Sequence, residues 1–175
     1  MALVLGGSRS SARAAALSEL EVKAAFLYHF TQYIEWPPED PPRGTVAGPF
    51  VVAVWQADAF REVAERMLAG KSAHDRPLQV VRITEPAEGV GARVVFLGMT
   101  EAGGLAAALR SLEGGGALTV GDGPRFAELG GMIGFRIVDD RVRFDINVEQ
   151  ASRSGFRISS EVVKLARVVK TRGEP

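Results

Sequence analysis

Cysteine is absent from this 175-residue chain. Its absence excludes disulfides, zinc–thiolate centres and thiol nucleophiles, while leaving the compartment open. A surplus of either charge is missing too: Lys plus Arg and Asp plus Glu each total 21. Binding a phosphate backbone needs a basic excess, so nucleic acid is not expected as the main partner, and anionic lipid is disfavoured for the same reason. No apolar run reaches the ~18 residues of a membrane span. Histidine occurs twice, at His29 and His74, in segments that read as a helix and a loop. G-x-S-x-G, Walker, H-E-x-x-H and strand-borne G-x-G-x-x-G motifs are all lacking, so no catalytic residue, metal or cofactor is expected.

What the chain does have is an apolar helix that stops abruptly, "VKAAFLYHFTQYIEWPPEDPP". Ser18 and Glu21 have capping-box spacing, which predicts a helix starting near Glu19. At about 100° per residue, Val22, Phe26, Phe30 and Tyr33 fall together, flanked by Leu27 and Ile34, with Tyr28 on the polar side. Pro37 disfavours the helical conformation at Trp36 and is expected to end the helix there, with a loop to Gly48.

Strand and helix patterns then alternate. Phe50–Trp55, Leu78–Ile83, Arg93–Gly98 and Ala117–Val120 read as strands, and Asp58–Leu68 and Glu101–Leu112 as helices. Two segments of period-two alternation flank Asp139-Asp140, which predicts an antiparallel hairpin. The stretch "SSEVVKLARVVK" predicts a final helix with Val162, Leu165, Ala166 and Val169 inward. The expected fold is a single-domain α/β three-layer sandwich, with a mixed sheet of about six strands and helices on both faces. Residues 1–18 read as a disordered tail or the remnant of an export signal, since Ala12-Arg13-Ala14 has the small-x-small form of a cleavage site. Residues 19–171 form the domain, and 172–175 a disordered end.

Four features carry functional readings beside structural ones. Lys23 falls within the apolar face; its stem packs with the ammonium reaching water, or it presents a cation to a partner. Tyr28 is a second candidate partner contact. Gly121-Asp122-Gly123 ends a strand where open α/β sheets bind ligands, or it is a tight turn in which Asp122 caps a short helix after Pro124. Ser159 or Ser160 caps the last helix, and its first turn with Arg157 would hold an anion. With Glu35 and Trp36 nearby, Arg157 and Ser159 would complete an aromatic-walled ligand pocket.

Three stretches, "EVKAAFLYHFTQYIEWP", "GKSAHDRPLQVVRI" and "LTVGDGPRFAELGGMIGFRIVDDRVRFDINVEQASRSGFRISSEVVKLA", resemble the YfiR/HmsC-like family of bacterial periplasmic proteins over roughly residues 20–170. The resemblance implies an exported, often homodimeric regulator that is not an enzyme. Its implied partner is the periplasmic sensor region of an inner-membrane diguanylate cyclase, which it represses to lower cyclic-di-GMP and biofilm formation. An outer-membrane lipoprotein that sequesters the regulator is implied as well, and so, as an alternative role, is sensing of an aromatic or nucleotide-like ligand. Many members carry cysteines that this chain lacks. The resemblance also favours a truncated or mis-started export signal at the N-terminus.

Overall fold

The computed structural model describes the backbone of residues 8–38, 48–98 and 101–172, with side chains from Glu19 onward except Ala102. The export-signal reading of Ala12-Arg13-Ala14 concerns side chains outside the described residues, as does the loop over residues 39–47. Helix α1 spans Ser8–Tyr33, so it begins well before the capping signal. Residues 12–17 read Ala-Arg-Ala-Ala-Ala-Leu, strong helix formers that let the helix run through Ser18. Its buried stripe is Lys23, Ala24, Leu27, Phe30 and Thr31, centred on Leu27. Val22 and Tyr33, expected on the apolar face, are 38% and 46% exposed.

The helix also ends earlier than expected, at Tyr33. Ile34–Glu35 forms strand β1, antiparallel to β9 (Arg157–Ile158), with Ile34 opposite Ile158 and Glu35 opposite Arg157. Pro37 pushes Trp36 toward extended backbone, and the cross-strand partner carries that conformation back to Ile34. A short contact late in the sequence therefore sets where the first helix stops.

The main sheet holds β2 (Phe50–Trp55), β3 (Ser72–Ala73), β4 (Arg76–Ile83), β5 (Val94–Leu97), β6 (Leu118–Asp122), β7 (Ile133–Val138), β8 (Arg141–Ile146) and β10 (Arg167–Val168), in the order β10-β8-β7-β6-β5-β2-β4-β3. Strands β4, β2, β5, β6 and β7 run parallel, β8 returns antiparallel to β7, and β10 lies parallel to β8. The six longer strands are those anticipated; β3 and β10, two residues each, make eight. Side chains alternate between faces as the pleat requires. Val52, Val54, Phe96 and Val120 meet α1 and α2 (Asp58–Leu68), which contributes Phe60, Val63, Ala64 and Leu68. Ala53, Val95 and Leu97 meet Leu105 and Ala108 of α3 (Ala102–Ser111) on the other face. The result is the expected α/β sandwich with a mixed sheet and helices on both sides. Phe26 and Phe30 of α1 each approach Phe144 edge-on at 5.0 Å between ring centroids, seating the helix on the hairpin.

Both hairpins turn through paired positive φ values, the geometry of a two-residue type I′ turn. Asp139 and Asp140 stand at 49° and 57°, and His74 and Asp75 at 52° and 60°. The first was legible in the alternation around it; the second has only a two-residue strand on one side, too short for a pattern. No helix follows Pro124. Residues 124–130 form turns, and the Phe126 ring lies between Gly121 and Gly131, where an added Cβ would stand 2.1 and 2.0 Å from ring atoms.

After α4 (Val148–Arg153), the expected last helix is largely replaced. Helix α5 covers only Ser160–Val163, and Arg167–Val168 joins the sheet as β10. Val162 is buried as anticipated, whereas Leu165 is 55% exposed. The β-branched pair Val168-Val169 suits a strand, and the Val169 N–H donates to the Ile146 carbonyl at 2.9 Å. Arg172, assigned by sequence to the tail, is held by its N–H to the Glu128 carbonyl at 2.9 Å.

Candidate functional site

The carboxyl end of β6 is closed. Gly121 is covered by Phe126, so its lack of a side chain admits an aromatic ring, and the Asp122 carboxylate turns to Lys23. The Lys23 ammonium donates to Asp122 at 2.8 and 3.0 Å and to Glu19 at 2.5 Å. Lys23 is only 3% exposed, which corrects its reading as a cation reaching water or presented to a partner: it faces inward and ties α1 to β6. Burial by itself would lower the ammonium's pKa, but its hydrogen bonds to Asp122 and Glu19 and their negative charge outweigh it and raise the value above the ordinary 10.5. A raised folded-state pKa contributes stability that is fully present below about pH 10.5 and lost as pH climbs through the folded value. Thermal melts should therefore fall at alkaline pH above that point. Lys23→Met should lose this part of the decline, and an unchanged alkaline slope in the variant would count against the pairing.

At the opposite end, the amino ends of three parallel strands meet the exit of α1. Phe50 is the first residue of β2, Arg76 the first of β4, and Arg93 directly precedes β5. Together with Glu35, Trp36, Pro37 and His74 they line a cleft of about 420 Å³. Trp36 is its organising side chain. The indole Nε1–H donates to the Arg93 carbonyl at 3.1 Å, and the ring meets Phe50, His74 and Phe156 edge-on at centroid distances of 5.2, 5.3 and 5.8 Å. His74 stacks on Phe50 at 5.9 Å and 13°. Arg76 donates from Nε to the Gly48 carbonyl at 2.6 Å and from Nη2 to the Pro49 carbonyl at 2.9 Å. An aromatic wall beside two guanidinium groups suits a planar ligand carrying negative charge.

Of the four residues expected to form a ligand pocket, Glu35 and Trp36 line this cleft and Arg157 and Ser159 do not. Arg157 is exposed and sits opposite Glu35 across the β1–β9 ribbon, so the two are neighbours without sharing the cavity. Ser159 occupies the cap position of α5 and donates its N–H to the Tyr33 carbonyl at 3.3 Å. Its hydroxyl caps nothing and is buried without a hydrogen-bond partner among the described residues. A four-residue helix offers little dipole for an anion, which removes the basis for the anion site. Tyr28 is half-buried on α1, with the Lys71 ammonium 4.9 Å from its ring centroid. Phe50, His74, Arg76 and Arg93 were not anticipated. They come from three separate strand starts, and no local spacing links them.

The described residues contain no group of three or more His, Asp or Glu placed to hold a metal, and no described helix is long and apolar enough to cross a membrane. Fold and cleft together define a single α/β sandwich domain with an aromatic, arginine-bearing recess at the amino ends of its parallel strands. The chain belongs to the YfiR/HmsC-like family, whose sequence profile matches residues 20–167. That family is regulatory and periplasmic.

Two solved structures share the fold. A conserved domain protein from Vibrio cholerae O1 biovar El Tor superimposes with a TM-score of 0.61 at 11% identity, over 86% of this chain and 60% of that one. The ABC domain of Streptococcus pneumoniae in complex with L-Trp gives a TM-score of 0.50 at 14% identity, over 68% of this chain and 55% of that one. The present chain thus spans under two thirds of either, and at these identities the likeness is one of fold.

Proposed function

We propose that this protein is a periplasmic regulator that binds the periplasmic sensor region of an inner-membrane diguanylate cyclase and holds the enzyme inactive, lowering cyclic-di-GMP output and biofilm formation. Its family membership over residues 20–167 carries the reading. The mechanism is population shift: the regulator binds the inactive sensor conformation better than the active one, and the difference in affinity sets the repression. An outer-membrane lipoprotein that sequesters the regulator would relieve it. Tyr28 is the proposed contact on α1, an aromatic anchor of the kind that dominates interface energy. Calorimetry with the cognate sensor domain should give a complex, and Tyr28→Ala should weaken it about tenfold. No complex at micromolar concentration, or no change in cyclase output when the regulator is added to membranes, would sink this reading.

The cleft supports a second, compatible role in which an aromatic or nucleotide-like ligand controls the protein contact. Trp36 lines the cavity and Trp55 does not, so a Trp55→Phe variant isolates the reporting indole. Its fluorescence should change on titration with a planar anionic aromatic compound, and Arg93→Ala should abolish the change. An unaltered spectrum and an unaltered melting temperature across a metabolite panel would remove the ligand role and leave the regulator role standing.

A further inference from the structure

A second and larger recess lies on the α3 face. It holds about 1360 Å³ and runs from α3 across the amino ends of β6 and β7 to α4. Pro37, Arg76 and Arg93 line both this groove and the Trp36 cleft, so the two adjoin. Its floor is Ala117, Thr119 and Met132, and the Thr119 hydroxyl already accepts the Met132 N–H at 3.1 Å. Ala106 and Leu109 of α3 and half-buried Leu129 add further aliphatic surface. A Cβ added at Gly103, Gly114 or Gly116 would meet nothing within 4 Å, so the groove is open along α3 and the turn after it. Five arginines line it against one carboxylate, Glu113, although the whole chain carries 21 charges of each sign. Arg153 pairs with Glu149, and Arg172 with Glu128 at 3.2 Å. Arg110 has no side-chain partner among the described residues.

We infer that this groove receives an amphipathic helix of a partner protein, aliphatic on its inner face and acidic along its flanks. Size speaks first: the volume exceeds the roughly 300–1,000 Å³ of small-molecule pockets. No Phe, Tyr, Trp or His lines the groove, whereas single-stranded nucleic acid is held by stacking on such rings. An aliphatic floor fits Leu and Ala side chains instead. Strand addition has no foothold, because β6 is paired on both sides by β5 and β7, and β7 by β6 and β8. An extended segment would leave its backbone groups unpaired there, while a helix satisfies its own. Layering agrees. Helices α1 and α2 cover one face of the sheet; on the other, α3 clusters with residues of β2, β4 and β5. Phe126 covers Gly121 toward the carboxyl end of β6, so the amino ends of β6 and β7 are the part still uncovered. A helix laid beside α3 completes that layer. Charge sets the choice of helix, since Arg110, Arg153 and Arg172 attract acidic flanks and oppose basic ones.

The inference does not depend on the proposed repression, because it concerns the α3 face and not Tyr28. The test is fluorescence polarisation on the full chain with a labelled peptide of about 18 residues, long enough to hold a helix. Leu and Ala occupy one face of the peptide and Glu the other. It should bind with a Kd near or below about 10 µM. Replacing its Glu by Lys should weaken binding at least about tenfold, and raising the salt from about 0.05 to about 0.5 M should weaken the acidic peptide severalfold. Arg110→Glu and Arg153→Glu should each cost about fivefold or more. Ala106→Trp, at an exposed α3 position, fills the groove and should abolish binding. These changes lie on two different helices, so either decides should the other fail to fold by circular dichroism. Arg66→Glu, on α2 across the sheet, should leave the affinity unchanged. Amide shifts on binding should be confined to α3, Gly130 and Gln150–Ser154. No saturable binding, equal affinity for both peptides, or binding that survives Ala106→Trp would overturn the inference. So would a groove that takes up heparin and ignores the acidic peptide, which would make it a polysaccharide site.

Discussion

Phe126→Ala is expected to lower the unfolding free energy by about 3–5 kcal/mol, the range for emptying a buried aromatic site. Phe126 is 2% exposed and plugs the α3 face where β6 meets β7. Its ring takes the volume that side chains at Gly121 and Gly131 would otherwise fill, and a Cβ added at Gly134 would stand 3.0 Å from the Phe126 Cβ. The same geometry predicts the reverse experiment. Gly121→Ala and Gly131→Ala force the ring aside and should each cost about 1–3 kcal/mol by overpacking. In the Phe126→Ala background either glycine replacement fills vacated space, so its cost should shrink or change sign. That coupling is the sharper readout, because it separates ring–glycine contact from general fragility. Denaturant midpoints at unchanged m-value would measure it. Equal glycine costs in both backgrounds would show that the ring and the glycines are not packed as described.

Asp145→Ala is expected to cost about 2–3 kcal/mol and to release the C-terminal strand. Asp145 is buried, and its carboxylate accepts from Arg136 Nε at 2.7 Å and from Arg167 Nε and Nη2 at 2.9 and 2.5 Å. The Asp145 hydrogen bond raises the Arg167 pKa further above the ordinary arginine value. Removing one partner of a buried pair strands the other; Arg167 is half exposed and Arg136 partly so, and the water they regain places the cost at the low side of that range. Strand β10 is only two residues long, so this clamp and few backbone bonds hold it. In the variant, the Val169 and Arg172 amides should lose exchange protection while those of β5 and β6 keep theirs. Uniform loss of protection across the sheet, or none, would show that Asp145 does not act as a local latch.

Much of the fold is legible where one element supplies its own signal. The buried parallel strands announce themselves as Val- and Phe-rich runs, and Asp139-Asp140 sits between two alternating segments of matched length. The differences fall where another preference overrides the local signal, from adjacent sequence in one case and from a distant contact in the other. Ser18 and Glu21 form a good capping pair, yet the alanine-rich run before them continues the helix. "SSEVVKLARVVK" has helical spacing, yet a buried aspartate on β8 and an open sheet edge draw Arg167 and Val168 into a strand.

The candidate site divides the same way. Glu35 and Trp36 stand out because a tryptophan between a helix end and a proline is fixed in direction by local chemistry. Arg76 and Arg93 do not, since nothing near either residue says that the strands they open lie side by side. Lys23 looked like a surface cation because its partner Asp122 is 99 positions away.

The amino-acid sequence by itself determined the α/β class, the main strands, the hairpin and the family, because periodic burial and turn chemistry act over a few residues and a long ordered resemblance needs no coordinates. Only the tertiary structure decided where the first and last helices end, which charges are buried in pairs, and which strand starts converge on Trp36. Those outcomes depend on strand order and register, which bring together residues whose sequence neighbours carry no trace of the contact.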